Sequence, residues 1–211
     1  MPIGLLGKKI GMTQIFDEKG ALIPVTLVQA GPCYVLAKRE EEKDGYQAIA
    51  LAFDEQKEQR LTKPELGQFK KAGVPACRFV REFRTEDDAK GQSLNPGETL
   101  DVSLFEDGER VDVIGTSKGR GYQGTIRRFN SAPGPSTHGS MYHRRPGSGG
   151  GSSDPSKTYK GKMQPGHMGV ERVTTGNLQI VKRDAKNNLL YIKGSVPGHN
   201  NSFIMVRKRS K

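Results

Sequence analysis

Residues 116–169 restrict the fold more than any other part of the chain. Over most of this stretch there is neither the alternation of a strand nor the 3.6-residue period of a helix. The chain is interrupted by Pro133-Gly134-Pro135, by Pro146-Gly147-Ser148-Gly149-Gly150-Gly151 and by Pro165-Gly166. An irregular segment this long is uncommon inside a compact domain and is usually functional or disordered. Both of its ends attach to strand-like sequence, so it should leave a domain and return to it as an arm. Stretched out and back, it would reach on the order of 90 Å at about 3.3 Å per residue.

The flanks read as short β-strands. Lys8 to Phe16 ends at the turn Asp17-Glu18-Lys19-Gly20 and resumes as Leu22 to Gln29; Cys33 to Arg39 and Tyr46 to Phe53 flank a charged turn ending in Asp44-Gly45. Arg78 to Arg84, Thr99 to Leu104 and Val111 to Ile114 follow the same pattern. After the arm come Val170 to Thr174, Leu178 to Val181, Leu189 to Lys193 and Phe203 to Val206, with Asp184 to Asn188 as a hairpin turn. One short helix is predicted after Thr62-Lys63-Pro64, stopped by Gly73. These elements imply a mostly β barrel or sandwich made of residues 1–115 and 170–211, with the arm 116–169 inserted between strands. A hydrophobic content of 33% fits a chain of which part packs into no core.

Several function classes are disfavoured. No segment approaches the roughly 20 continuous apolar residues of a membrane span. The first residues place Lys8-Lys9 after a short apolar patch, the wrong order for a secretory signal, so the cytoplasm is expected. Cys33 and Cys77 lie far apart and in no C-x-x-C pair, which implies reduced thiols and no zinc module.

Charge is distributed very unevenly. Residues 1–115 hold 16 Lys and Arg against 20 Asp and Glu; residues 116–211 hold 18 against three, Asp154, Glu171 and Asp184. No acidic residue occurs between Asp112 and Asp154, and all four histidines, His138, His143, His167 and His199, fall in the basic part. Solubility is served by charge of either sign, so near-exclusion of acids points instead to a polyanionic partner.

Gly119-Arg120-Gly121-Tyr122-Gln123-Gly124 spells G-x-G-x-x-G. A dinucleotide site would need a helix directly after it and an acidic residue about 20 positions on. Val111 to Ile114 supplies a strand before it, but Thr125 to Asn130 stops at Ser131-Ala132-Pro133, and the acid is missing. No His-Arg-Asp or Asp-Phe-Gly segment supports a kinase loop either. The same glycines serve another purpose, letting backbone lie against a neighbouring surface while Lys118, Arg120, Arg127 and Arg128 meet phosphates. Tyr122 and Phe129 offer ring faces for bases or sugars, or anchor the arm to its domain.

His138, His143 and His167 have only Asp154 as an acidic companion in the arm, which favours hydrogen bonds to RNA over metal or catalysis. Arg144-Arg145, next to Pro146-Gly147, is a turned guanidinium pair suited to bidentate phosphate contact. No helix-turn-helix, zinc-finger or basic-zipper pattern fits DNA, and an irregular glycine-rich arm suits the crevices of a folded RNA. The residues alone thus describe a β domain with a basic arm for structured RNA. A nucleotide-dependent enzyme and a free RNA chaperone with a basic tail are the alternatives, the latter opposed by the strands that follow the arm.

Six ordered motifs extend this reading: Gly7-Lys8-Lys9-Ile10-Gly11-Met12-Thr13, Gly115-Thr116-Ser117-Lys118-Gly119-Arg120-Gly121, Thr137-His138-Gly139-Ser140, His143-Arg144-Arg145-Pro146-Gly147-Ser148, Gly161-Lys162-Met163 and Gly166-His167-Met168-Gly169. Over essentially its whole length the chain resembles the bacterial form of ribosomal large-subunit protein three. The resemblance implies a six-stranded barrel of the translation-protein type with a short helix and a long basic arm. It implies a structural, non-enzymatic role with no cofactor or metal: primary binding of large-subunit (23S-type) rRNA near its 3′ end, nucleation of subunit assembly, and an arm directed toward the peptidyl transferase centre. Ribosomal proteins fourteen and nineteen are the implied neighbours, and the ribosome in the cytoplasm the implied location. The expected RNA contacts are Lys8, Lys9, Lys118, Arg120, Tyr122, Arg127, Arg128, Phe129, His138, His143, Arg144, Arg145, Lys157, Lys160, Lys162, His167 and Arg172. Two positions depart from the family pattern: Gly151 stands where many relatives carry a glutamine, methylated in some, and Phe129 where a Trp is frequent.

Overall fold

The structure, a computed structural model, describes residues 3–85 and 93–209. Strand makes up 42% of it and helix 12%, so β pairing carries the fold. Six strands close an antiparallel barrel: β1 (Gly4–Phe16), β2 (Leu22–Ala30), β7 (Arg110–Thr116), β10 (Arg172–Asp184), β11 (Leu189–Lys193) and β12 (Phe203–Lys208), in the order β1-β12-β7-β10-β11-β2. Closure pairs every one of these strands on both sides and leaves no open edge. A four-stranded sheet, ordered β5-β4-β3-β6, is built from β3 (Cys33–Arg39), β4 (Ala48–Glu55), β5 (Cys77–Arg84) and β6 (Thr99–Leu100).

Period-2 alternation explains how sheet and barrel share a core. On one face of the sheet Val35, Ile49, Leu51, Phe53 and Phe83 join barrel residues such as Leu5, Val28, Val113, Ile180 and Val206 around Phe105, the largest fully buried side chain. On the other face Leu36, Ala50 and Ala52 pack with Phe69 of α2 (Lys63–Ala72). Ala48 to Phe53 is buried at every position, because β4 is covered on both sides. Each buried Val, Leu, Ile or Phe contributes about 1.5–3 kcal/mol relative to exposure. Helix α2 starts where Glu65 accepts the Thr62 N–H at 2.9 Å and ends at Gly73.

Several elements differ from the sequence expectation. The first strand begins at Gly4, ahead of Lys8. Thr99 to Leu104 is not one strand: it pairs only at Thr99–Leu100 and then turns into a 3-10 helix, Val102–Leu104. The charged turn before Gly45 contains α1 (Glu41–Asp44), so α2 has company. The two strands predicted after the arm are one, β10, which bulges between Thr175 and Leu178 where Asn177 takes a φ of 60°. Asp112 holds that bulge by accepting the Asn177 N–H at 3.0 Å. The hairpin turn at Asp184 is present, with its carboxylate accepting the Lys186 N–H at 3.0 Å.

Contacts divide the chain into two compact units, one comprising residues through Thr116 together with those from Arg172, the other Ser117–Glu171. Thr116 and Arg172 are partners in the β7–β10 ladder, so the second unit is inserted at a paired position between neighbouring barrel strands.

Candidate nucleic-acid interface

The second unit is more structured than its sequence implies. The Ser117 N–H donates to the Glu171 carbonyl at 2.9 Å and the Arg120 N–H to the Met168 carbonyl at 2.9 Å. β8 (Gly121–Gln123) then pairs with β9 (Gly166–Met168), setting Tyr122 opposite His167. The G-x-G-x-x-G motif is therefore the first arm of a β-ribbon and not a turn wrapped round a pyrophosphate. Gly121 sits at φ 67°, and apart from its own atoms and its two chain neighbours nothing lies within 4 Å of where a Cβ would stand. Gly169, at φ 83°, packs so closely that a Cβ would overlap the Lys118 carbonyl oxygen.

A helix does follow the motif: α3 (Thr125–Phe129), five residues beginning after Gly124. Such a length supplies hardly more than one turn, too short to be visible as periodicity. It carries Arg127 and Arg128 at its C-terminal end. The Arg128 guanidinium lies 4.9 Å from the Phe129 ring centroid and donates from Nη1 to the Gln164 carbonyl at 2.8 Å, tying the helix to the segment entering β9. Further along, the Gly134 N–H donates to the His143 carbonyl at 3.0 Å, and His143 Nδ1 lies 2.9 Å from the Pro135 carbonyl oxygen. A carbonyl only accepts, so the proton sits on Nδ1 and Nε2 is turned to other partners. Tyr142, Arg145, Gly147, Lys162 and Met163 line a shared cleft with Thr125.

Burial and charge set this unit apart. Among its residues only Thr125 is buried. Tyr122, Met141, Tyr159 and Met163 stand exposed, at 76%, 87%, 65% and 53%. Its nine bases are Lys118, Arg120, Arg127, Arg128, Arg144, Arg145, Lys157, Lys160 and Lys162; its acids are Asp154 and Glu171. Among the described residues none of the nine is in an ion pair, whereas Arg39, Arg207 and Lys208 of the other unit pair with carboxylates at 2.8–3.2 Å. His138, His143 and His167 are exposed and lie among these bases. Among the described residues no group of three or more His, Cys, Asp or Glu converges as metal ligands would.

In the barrel unit Arg172 is exposed and Lys8 half-buried. Lys9 departs from the sequence reading. It is only 7% exposed, and its ammonium donates to the carbonyls of Val196 at 2.8 Å and Gly198 at 3.3 Å. A charge enclosed by carbonyls is held for the fold, so Lys9 is a strut beneath the Val196–Ser202 loop rather than a phosphate contact. Conversely, Tyr142 and Tyr159 were not singled out in the sequence. Their signal was the one used for Tyr122, an aromatic ring among glycines and bases.

Residues 95–187 match the family model for ribosomal protein L3, a span that contains the whole second unit and five of the six motifs quoted above. Over that span the chain is similar to the ribosomal protein L3 family. That similarity supports a structural constituent of the large ribosomal subunit, a family located in the ribosome in the cytoplasm. The family is a structural ribosomal protein and not an enzyme, and similarity to it implies large-subunit rRNA and ribosomal proteins as partners. Among the described residues no helix is long and apolar enough to cross a membrane.

Proposed function

We propose that this chain is a primary binder of large-subunit rRNA near its 3′ end and helps to nucleate subunit assembly. Residues 116–169 serve as its RNA-binding arm, directed toward the peptidyl transferase centre. Ribosomal proteins fourteen and nineteen are its neighbours, and it has no catalytic role of its own. One observation carries the reading: nine bases without a carboxylate partner among the described residues occupy a unit that buries a single threonine. Ordering such a segment costs roughly 1–2 kcal/mol per residue, and it has almost no apolar burial to offset this. RNA phosphates offset it by neutralising the bases and releasing counterions. Irregular backbone, exposed rings and histidines then match unpaired bases and tight crevices better than a regular groove.

Affinity for a fragment of large-subunit rRNA containing its 3′ region, measured over a range of salt concentrations, tests the proposal. If about six of the nine bases meet phosphate, the log–log slope is on the order of −4 to −5. A salt-independent affinity would overturn the phosphate reading, and failure of the protein to co-sediment with large subunits at physiological salt would overturn its integral place in the subunit.

A further inference from the structure

The bases assigned to RNA so far come almost entirely from the second unit. The barrel unit holds another cationic group that the sequence kept apart. Arg78, Phe79 and Arg81 on β5 face Phe203 on β12, more than a hundred residues away in the chain. The Phe79 and Phe203 rings stack at 4.7 Å with 9° between their planes. The Arg78 guanidinium lies 5.4 Å from the Phe203 centroid and that of Arg81 lies 4.8 Å from the Phe79 centroid. The same cleft is lined by Arg172 and His199, and no Asp or Glu lines it.

Three features make this more than a solvated basic face. First, the rings fix the two guanidiniums in place; Arg81 gives one N–H, from Nη1, to the Val80 carbonyl at 2.8 Å, and the remaining N–H groups of a guanidinium lying over a ring are left for an anion. Second, neither Arg78 nor Arg81 is in an ion pair among the described residues, and two carboxylates of the barrel unit, Glu82 next to Arg81 in sequence and Asp112 on β7, are taken by other partners. Glu82 is committed to Arg39 at 3.1 Å and to the Tyr46 hydroxyl at 2.8 Å, and Asp112 to Arg207 at 3.1 Å and to the Asn177 N–H. Third, gathering like charges in one cleft is unfavourable in the free protein and is relieved by a bound anion.

We propose that this cleft is a second RNA contact, in which Arg78 and Arg81, supported by Arg172 and His199, grip the phosphodiester backbone of the RNA. This rests on the rRNA-binding reading above and adds to it a site outside the inserted unit. Pre-positioned forks give bidentate phosphate contact without the ordering cost that the second unit carries.

The full chain and its R78A/R81A, R78K/R81K and R144A/R145A variants are titrated against the same rRNA fragment across salt concentrations, with melts run in parallel. R78A/R81A is expected to flatten the log–log slope by about two units, and R78K/R81K to keep the slope while weakening binding through loss of the fork. An unchanged slope in R78A/R81A, with R144A/R145A flattened, overturns this site and leaves the main reading standing. If both variants keep the wild-type slope, the rRNA-binding reading itself falls. Inorganic phosphate followed by its phosphorus resonance separates a small-anion pocket: saturable broadening abolished in R78A/R81A, together with an unchanged RNA slope, also overturns the proposal. Should R78A/R81A melt without a cooperative transition, R81Q alone is used, with about one unit of flattening expected.

Discussion

Every buried apolar side chain among the described residues lies in the barrel unit, and none in Ser117–Glu171. The two regions also treat charge differently. The barrel unit pairs Arg39, Arg207 and Lys208 with its own carboxylates, whereas the nine bases of the inserted unit have no such partners among the described residues. The first region stands on hydrophobic burial and, the Arg78–Arg81 cleft apart, pairs several of its cations internally; the second leaves cations, rings and backbone available and is completed by something outside the chain. The difference teaches where stability and recognition reside, and it can be tested by perturbing each region separately.

The largest effect is expected from removing the second region altogether. Replacing residues 117–171 with a short Gly/Ser linker joins Thr116 to Arg172, which are already ladder partners. Thermal unfolding followed by circular dichroism should remain cooperative, while incorporation into large subunits fails. Loss of the cooperative transition would show that the insert is part of the core.

A gentler change targets the ribbon. In Gly169→Ala the new Cβ meets the Lys118 carbonyl oxygen at a backbone conformation with φ 83°. Strain of about 1–2 kcal/mol should loosen β8 against β9 and weaken RNA binding roughly tenfold. Hydrogen exchange should rise for amides near Arg120 while the melt of the barrel stays put; unchanged exchange would separate the ribbon from binding. The same measurement on the wild type, with and without rRNA, tests whether the loop between α3 and β9 orders on RNA. Strong protection of amides 130–160 in the free protein would count against that.

Lysines 8 and 9 draw the comparison at adjacent positions. Lys9→Met removes the ammonium from two inward-facing carbonyls and should cost about 1–3 kcal/mol of barrel stability without changing the salt slope. A flattened slope with an unchanged melt would restore Lys9 to the RNA-contact set. The smallest effect concerns the thiols. Burial pushes Cys33 up to about 12 and Cys77 up to about 11, so both are neutral at pH 8. Disulfide reagents react through the thiolate, so labelling should follow unfolding of the barrel unit and proceed equally slowly with or without the insert. Rapid labelling of the folded chain at pH 8 would show that the barrel unit opens far more readily than its burial implies.

Legibility from sequence followed the range of the interactions. Alternation along Leu22 to Gln29 or Cys33 to Arg39, and the Thr62-Lys63-Pro64 start of a helix stopped by Gly73, are local signals, and the elements stand where those signals put them. Thr125 to Phe129 was missed because five residues are too few to show a period. The continuity of β10 was missed because it depends on Asp112, a residue of another strand, holding the Asn177 N–H.

By itself, then, the sequence determined that this protein would be a β domain interrupted by a basic, glycine-rich insert, because strand alternation, turn residues and the exclusion of acids are written residue by residue. It also carried the family resemblance, since the motifs of the insert are contiguous. Only the tertiary structure decided which bases remain available. Lys8 and Lys9 look alike until loop Val196–Ser202 closes over one of them, and Arg78 and Arg81 look like ordinary strand charges until Phe203 arrives beneath Arg78 and stacks on Phe79, the ring under Arg81. The physical reason is the same in both cases: exposure and pairing of a charge depend on segments distant in the chain, and barrel closure brings those segments together.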